Sequence, residues 1–235
     1  MFIRKIKSFF FYIKRFYYDQ IIIKFFDEKK VFEKIYKSNY WGSKESISGP
    51  GSDLKNTENI RNELPKIISK YNIVKVLDIP CGDFYWMDFI IKNLKIDYLG
   101  GDIVYEMIKN NNNLYGSKNV KFFEFNLIND KLPTADLLIC RALFFHLNFK
   151  SIKKILDNLK YSNIKYILLT NTPKPKNHIN KDAIAGSYRD LDLFKSPFLF
   201  PNNYLYKFED TYNVVTGELD QEMILWERND LLNNL

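Results

Sequence analysis

From residue 73 onward, short apolar runs alternate with stretches of helical spacing, and this alternation restricts the fold more than any other feature of the chain. The runs 73–79, 97–102, 120–126, 135–141 and 166–171 are of strand length and largely apolar. Between them lie the helical stretches 85–94, 105–114 and 151–159, the last with Ile152, Ile155, Leu156 and Leu159 on one side. Strands that are apolar on both faces need cover on both faces, which calls for a parallel sheet with crossover helices. Two further runs, 204–208 and 222–227, predict closing strands joined through a turn around Thr216 and Gly217. The expectation is an α/β, doubly wound, mainly parallel seven-stranded sheet with an N-terminal helical extension.

An apolar content of 46% over 235 residues is ample for one packed domain and excludes a disordered chain. Cys81 and Cys140 are the only cysteines, so neither a disulfide framework nor a four-cysteine metal site is expected. With only His146 and His178 to add, no metal site is predicted, and a cytoplasmic compartment follows. Of the net charge of +7, residues 1–30 hold +5, from eight basic and three acidic side chains, which leaves +2 for the rest. Within 2–20 the residues Phe2, Ile6, Phe9, Ile13 and Phe16 recur on one helical face, with Arg4, Lys5, Lys7, Lys14 and Arg15 on the other. No window of about 18 uncharged apolar residues is present, so this segment is not a membrane span. It predicts a basic amphipathic helix, packed on the domain or on a second subunit, or else lying peripherally on the inner membrane face.

The stretch Val76-Leu77-Asp78-Ile79-Pro80-Cys81-Gly82-Asp83 places an acid at a strand's end, then a tight turn, then a helix. Twenty-four residues beyond Asp78, Asp102 ends the next strand. A carboxylate there can accept both hydroxyls of a ribose, and ligands of doubly wound sheets bind at the carboxyl ends of the strands. The dinucleotide pattern of three spaced glycines is absent, as is a phosphate-cradling Gly-rich loop ending in Lys. The turn suits a nucleoside without a phosphate chain.

Asp78-Ile79-Pro80-Cys81-Gly82-Asp83, followed by Asp102 and by Ala135-Asp136-Leu137-Leu138-Ile139-Cys140-Arg141, resembles the class I S-adenosylmethionine-dependent methyltransferases. Tyr40-Trp41-Gly42-Ser43-Lys44-Glu45-Ser46-Ile47-Ser48-Gly49-Pro50-Gly51-Ser52, with Thr57 and Trp86-Met87, is similar to methyltransferases of bacterial surface-polysaccharide (capsule and lipopolysaccharide) biosynthesis. Pro80 and Asp83 stand where that family usually has glycine. The resemblance implies that Asp78 and the backbone of Pro80, Cys81 and Gly82 hold the methionine end of S-adenosyl-L-methionine. It implies that Asp83 pairs with the ammonium or lies near the sulfonium, and that Asp102, with Ile103, binds the ribose. Asn126 and Leu127 would face the adenine, and Arg141 and Ala142 would border the methyl group. Asp78 and Asp83 have the alternative role of helix caps, and Cys81 that of a small buried filler. The loop at Ser48 and Gly49 could fold over the cofactor, with Arg61 a further partner for its carboxylate.

His146, just past the fourth strand, is the natural general base, with an ordinary pKa of about 6.5. Its alternative is a histidine satisfied within the structure that follows. The segment 172–203, with four prolines and little periodicity, is expected to be the acceptor loop. Asn171, Lys174, Lys176, Tyr188 and Arg189 are its candidate contacts, and His178 is expected at the surface. If the acceptor carries a phosphate or phosphoramidate, the lysines and Arg189 outweigh His146. The resulting expectation is an O-methyltransferase domain over 39–235, preceded by the 1–38 extension, acting on a sugar or modified sugar as a small-molecule or glycan acceptor. A nucleic-acid partner is not expected, because the Asn/Asp-Pro-Pro-aromatic element is missing after the fourth strand and the excess charge sits at the N-terminus. RNA methylation, and a non-catalytic cofactor-binding subunit, are the alternatives.

Overall fold

The computed structural model describes residues 27–213 and 216–233, so the helix expected over 2–20 lies outside the described residues. In chain order these form α1 (Glu28–Ser38), 3-10 turns at Pro50–Ser52 and Lys55–Thr57, α2 (Glu58–Lys70), β1 (Lys75–Asp78), α3 (Tyr85–Ile91) and β2 (Asp97–Asp102). There follow α4 (Tyr105–Tyr115), β3 (Val120–Glu124), β4 (Leu137–Cys140), a 3-10 turn at Phe144–His146, α5 (Phe149–Lys160), β5 (Tyr166–Asn171), β6 (Tyr206–Tyr212), β7 (Leu219–Glu227) and α6 (Arg228–Leu232).

The seven strands make one sheet in the order β3-β2-β1-β4-β5-β7-β6. The first five are parallel, and β7 runs antiparallel to both β5 and β6. β2 and β5 have the bounds their apolar runs predict. β1 begins two residues later than its run, and the Asp136 carboxylate accepts from the N–H groups of Val74 and Lys75 there, at 2.9 and 2.8 Å. Successive strand residues feed opposite cores. Val76, Leu137, Ile139 and Leu168 pack with Ile60 and Leu64 of α2 and Met87 of α3. Leu77, Leu138, Ile167 and Leu169 pack with Ile152, Ile155 and Leu159 of α5. This two-sided burial is why the strands read as unbroken apolar runs.

The strand order reverses between β1 and β4, which opens a crevice at their carboxyl ends. The segment 172–203 crosses near this end without regular structure and is pinned by its own side chains. Asn171 accepts from the Leu193 N–H at 2.7 Å, Thr172 from that of Leu191 at 2.9 Å, and Asn180 from that of Asp192 at 3.0 Å.

α1 starts at Asp27, whose carboxylate accepts from the Lys30 N–H, and ends at Asn39 in the left-handed conformation. It packs on the body of the protein. Val31 and Ile35 are buried, Glu28 accepts from Ser151 of α5 at 2.7 Å, and Lys29 pairs with Glu124 of β3. Gly186 of the 172–203 segment permits this docking: its φ is +80°, and a Cβ there would lie 2.7 Å from Val31 Cγ1. Gly186→Ala is therefore expected to cost at least about 1–2 kcal/mol from the backbone alone, with the α1 clash in addition. Urea unfolding would measure it, and a loss below about 0.5 kcal/mol, the ordinary range of surface substitutions, would contradict this packing.

Candidate functional site

A cavity of about 480 Å³ occupies the crevice. Its floor is the carboxyl ends of β1, β2 and β4. The inner face of α1 (Phe32, Ile35, Tyr36) and the loop 47–52 also line it, as do residues of 186–188 and of the β6–β7 pair.

The turn after β1 is a tightly bonded backbone arch. The Cys81 N–H donates to Gly101 O at 2.9 Å, and Asn111 donates to Gly82 O at 2.7 Å. Gly82 has φ +55°, and a Cβ there would meet Ser48 Oγ at 2.4 Å, so only glycine lets the 46–52 loop lie on this turn. Asp83 holds that loop. Its Oδ2 accepts from Ser46 Oγ at 2.8 Å and from the Ile47 N–H at 3.0 Å, while its own N–H donates to Ser48 Oγ at 2.9 Å. Asp83 does not line the cavity, so its carboxylate is placed to anchor the loop and not to meet a ligand's ammonium. Ser48 and Gly49, by contrast, do line it.

Two buried acids face the crevice. Asp102 accepts from the Val104 N–H on Oδ1 at 3.0 Å and from the Gly82 N–H on Oδ2 at 3.3 Å, with the Ile103 N–H as a third backbone donor, which leaves the carboxylate acceptor capacity for a ligand. Burial raises its pKa to about 6, against the backbone hydrogen bonds that lower it. Asp78 accepts from Tyr98 Oη at 2.6 Å, and burial raises it further, to about 7. Cys81 also lines the cavity, and burial holds its thiol protonated.

Beside Asp102 the lining is apolar: Ile103, Val104, Met107, Phe125, Leu127 and Leu143. Asn126 lines the cavity, but its Oδ1 accepts from the Ile128 N–H at 3.0 Å, so the side chain shapes the turn after β3. Ala142, at φ +57°, turns the chain along the cavity wall, its N–H bonded to Thr170 Oγ1 at 2.8 Å.

Arg141 lines the cavity yet is almost fully engaged by protein. Nε donates to Asp210 Oδ2 at 2.8 Å, Nη1 to Gly51 O at 2.9 Å and Nη2 to Asn56 O at 3.2 Å, and the guanidinium lies over Trp86. Arg61 is turned away; it donates to Leu54 O at 2.8 Å and does not line the cavity.

His146 lines the cavity and stacks on Trp41, ring centroids 5.3 Å apart. Its Nδ1 lies 3.0 Å from Ser187 O. A carbonyl only accepts, so Nδ1 carries the proton and Nε2 keeps its lone pair. Burial lowers its pKa to about 4, so the ring is neutral at physiological pH. Of the proposed acceptor contacts only Tyr188 lines the cavity. Asn171 is buried against Glu222, Lys174 pairs with Asp190 at 3.1 Å, Lys176 is exposed, and Arg189 donates to Phe145 O. His178 is half-buried instead of exposed, and its Nε2 has no partner. Phe32, Phe125, Ile128, Thr211 and Gln221 line the cavity without any sequence signal of function. Phe125 falls in the run 120–126, which marks it only as core.

These protonation states give stability a pH dependence of known sign. Asp102, at about 6 in the fold against 3.8 otherwise, holds a proton that the unfolded chain has released. Its contribution is present below about 3.8 and is lost as pH rises through 6. His146, lowered from 6.5 to about 4, acts oppositely, and its contribution is lost as pH falls from 6.5 towards 4. Urea unfolding of Asp102→Asn should therefore show the variant gaining on the wild type between pH 4.5 and 8. An unchanged difference between the two proteins would contradict the raised Asp102.

No protein-family model matches the chain, and no curated protein matches it in sequence. Solved structures do match. A methyltransferase dependent on S-adenosylmethionine from Leishmania major is similar with TM-score 0.61 and 13% identity, over 83% of this chain and 82% of that one. Magnesium protoporphyrin IX methyltransferase from Synechocystis, solved with S-adenosylmethionine bound, matches with TM-score 0.56 and 11% identity, over 85% and 96%. The methyltransferase domain of a bacterial Hen1 matches with TM-score 0.54 and 11% identity, over 74% and 100%. The chain thus has the Rossmann-like fold of S-adenosylmethionine-dependent methyltransferases, mostly parallel with an antiparallel pair at its C-terminal end.

Proposed function

We propose that the protein is an S-adenosylmethionine-dependent O-methyltransferase that acts on a sugar or modified sugar in bacterial surface-glycan synthesis. The observation that carries the cofactor is Asp102, a buried carboxylate with acceptor capacity left beyond its backbone donors, at the end of β2 and lining a cavity with an apolar slot beside it. The chemistry of these groups fits a ribosyl-adenine: the acid accepts the ribose hydroxyls, and Ile103, Phe125 and Leu127 take the flat base. The arch at Pro80, Cys81 and Gly82 and the loop at Ser48 and Gly49 would hold the methionine end, beside Asp78. S-adenosylmethionine, when bound, supplies a methyl carbon on positive sulfur, whose carbon–sulfur electrons return to sulfur as an acceptor oxygen takes the carbon.

His146 supports the acceptor half. Its neutral Nε2 accepts a hydrogen bond from an acceptor hydroxyl and takes the proton as that oxygen acquires positive charge. A weak base suffices, because a hydroxyl that shares its lone pair with carbon becomes strongly acidic. The ring is held for this by Ser187 and by the Trp41 face. The surface-glycan setting rests on the resemblance of 40–52 and of Trp86-Met87 to such enzymes.

Calorimetric titration with S-adenosylhomocysteine tests the cofactor. The wild type should bind it, and Asp102→Ala should lose at least about tenfold in affinity, the equivalent of about 1.4 kcal/mol. Equal binding by both would overturn the ribose assignment. His146→Ala should leave that affinity unchanged and lower acceptor-dependent production of S-adenosylhomocysteine by about 10²-fold, the lower bound for general-base catalysis. An undiminished rate would remove His146 from the chemistry.

A further inference from the structure

Three parts of the chain meet at the start of α5, beside the point where residues 1–26 join the described fold. Glu28 of α1 accepts from Ser151 Oγ of α5 at 2.7 Å, so the chain that precedes Asp27 joins next to the first turn of that helix. Phe149, the first residue of α5, donates its N–H to Asp182 Oδ1 at 2.7 Å and packs its ring on Phe198, centroids 5.3 Å apart. Asn180 donates to Ser196 O at 3.0 Å, and the Leu199 N–H to Lys195 O at 3.2 Å. These contacts tie 179–182 and 195–199 to α5.

The surface of this neighbourhood is both basic and apolar. Lys150, Lys153 and Lys154 are exposed and spaced three and four residues apart, hence on one face of α5, and Lys181 is exposed beside Asp182. Among the described residues none of the four is ion-paired. The acids nearby are engaged: Asp182 accepts from the Phe149 and Ala183 N–H groups, Asp157 pairs with Lys160, Asp27 caps α1 and Glu28 takes Ser151. Ile179 is 77% exposed and Leu199 62%. Leu199 also has φ +51°, a left-handed conformation that leucine adopts only at a cost. Its neighbours Phe198 and Phe200 are buried against Phe149 and Trp226, and they hold the leucine outward. Strain held by its surroundings in this way clusters at functional positions.

Residues 1–26 carry six basic side chains and one acidic one, with seven phenylalanines and six isoleucines. Their charge has the same sign as that of the α5 face, so neither neutralises the other and both call for an anionic partner. Aliphatic side chains offered to solvent suit the acyl boundary of a bilayer, whereas single-stranded nucleic acid is gripped by aromatic stacking along a basic groove. We propose that the outer face of α5 at Lys150, Lys153 and Lys154, with Lys181, Ile179 and Leu199, lies on an anionic lipid surface together with residues 1–26. The lysines meet the head groups, and Leu199 and Ile179 enter the acyl boundary. Glu28 also lines the cavity, so attachment here brings one wall of the cavity to the membrane. The surface uses none of the groups assigned to the cofactor and stands apart from that assignment.

Sedimentation of the full chain with lipid vesicles provides the test. Vesicles of phosphatidylcholine mixed with phosphatidylglycerol should bind it, and phosphatidylcholine alone should bind at least about tenfold more weakly, since each basic residue near an anionic surface contributes about fivefold. Added salt should weaken the binding. The triple variant Lys150→Gln, Lys153→Gln, Lys154→Gln should lose at least about tenfold in vesicle affinity at unchanged Tm. Leu199→Gly, which suits the left-handed backbone, should bind vesicles several-fold more weakly with Tm unchanged or raised. Equal binding to both kinds of vesicle, or full binding by either variant, would overturn the proposal. Self-association in light scattering that the triple variant abolishes would assign this face to a second copy of the chain and overturn it too. Displacement from the vesicles by single-stranded RNA at lower concentration than by soluble phosphatidylglycerol would do the same in favour of nucleic acid.

Discussion

Arg141 and Asp210 form an ion pair at 2.8 Å with side chains 5% and 0% exposed, and the site is assembled around it. Burying two charges is expensive, and the expense is recovered only when geometry and hydrogen bonding are good. Here the guanidinium also takes the carbonyls of Gly51 and Asn56 and lies on the Trp86 ring. One side chain at the end of β4 thereby ties β6 and the loop at 50–57 to the central strands. The same loop is fastened to the turn after β1 by Ser46, Ser48 and Asp83. The loop over one half of the cavity and the wall of the other half are therefore held by shared contacts.

The electrostatics of the crevice follow from this enclosure. Asp78 and Asp102 sit where water is scarce, and burial raises both carboxyls well above their ordinary range. The same enclosure lowers His146 and keeps its Nε2 available as an acceptor. A ligand that brings hydroxyl donors to Asp102 favours the ionised carboxylate and so draws the proton off it.

The fold was legible in the sequence because two-sided burial writes itself as unbroken apolar runs; β2 and β5 fall within the very bounds those runs suggest. The acids that end β1 and β2 were legible too, because strand ends in such sheets face the crevice. What stayed hidden depended on contacts between distant segments. Asp83 reads as a cap or a ligand, but it is spoken for by Ser46 and Ile47, 37 and 36 residues away. Arg141 reads as a border of the methyl group, but its donors are met by groups 69, 85 and 90 residues away. The basic residues of 172–203 read as acceptor contacts, yet that segment spends its polar groups on pinning itself.

The central claim is that the crevice at the ends of β1, β2 and β4 receives S-adenosylmethionine with its ribose on Asp102. A crystal structure of the complex with S-adenosylhomocysteine tests it most directly. Both ribose hydroxyls are expected within about 2.5–3.0 Å of the Asp102 oxygens, the adenine among Ile103, Phe125 and Leu127, and the sulfur turned towards His146. Nucleoside density elsewhere, or a ribose that leaves Asp102 bonded only to Gly82 and Val104, would contradict it.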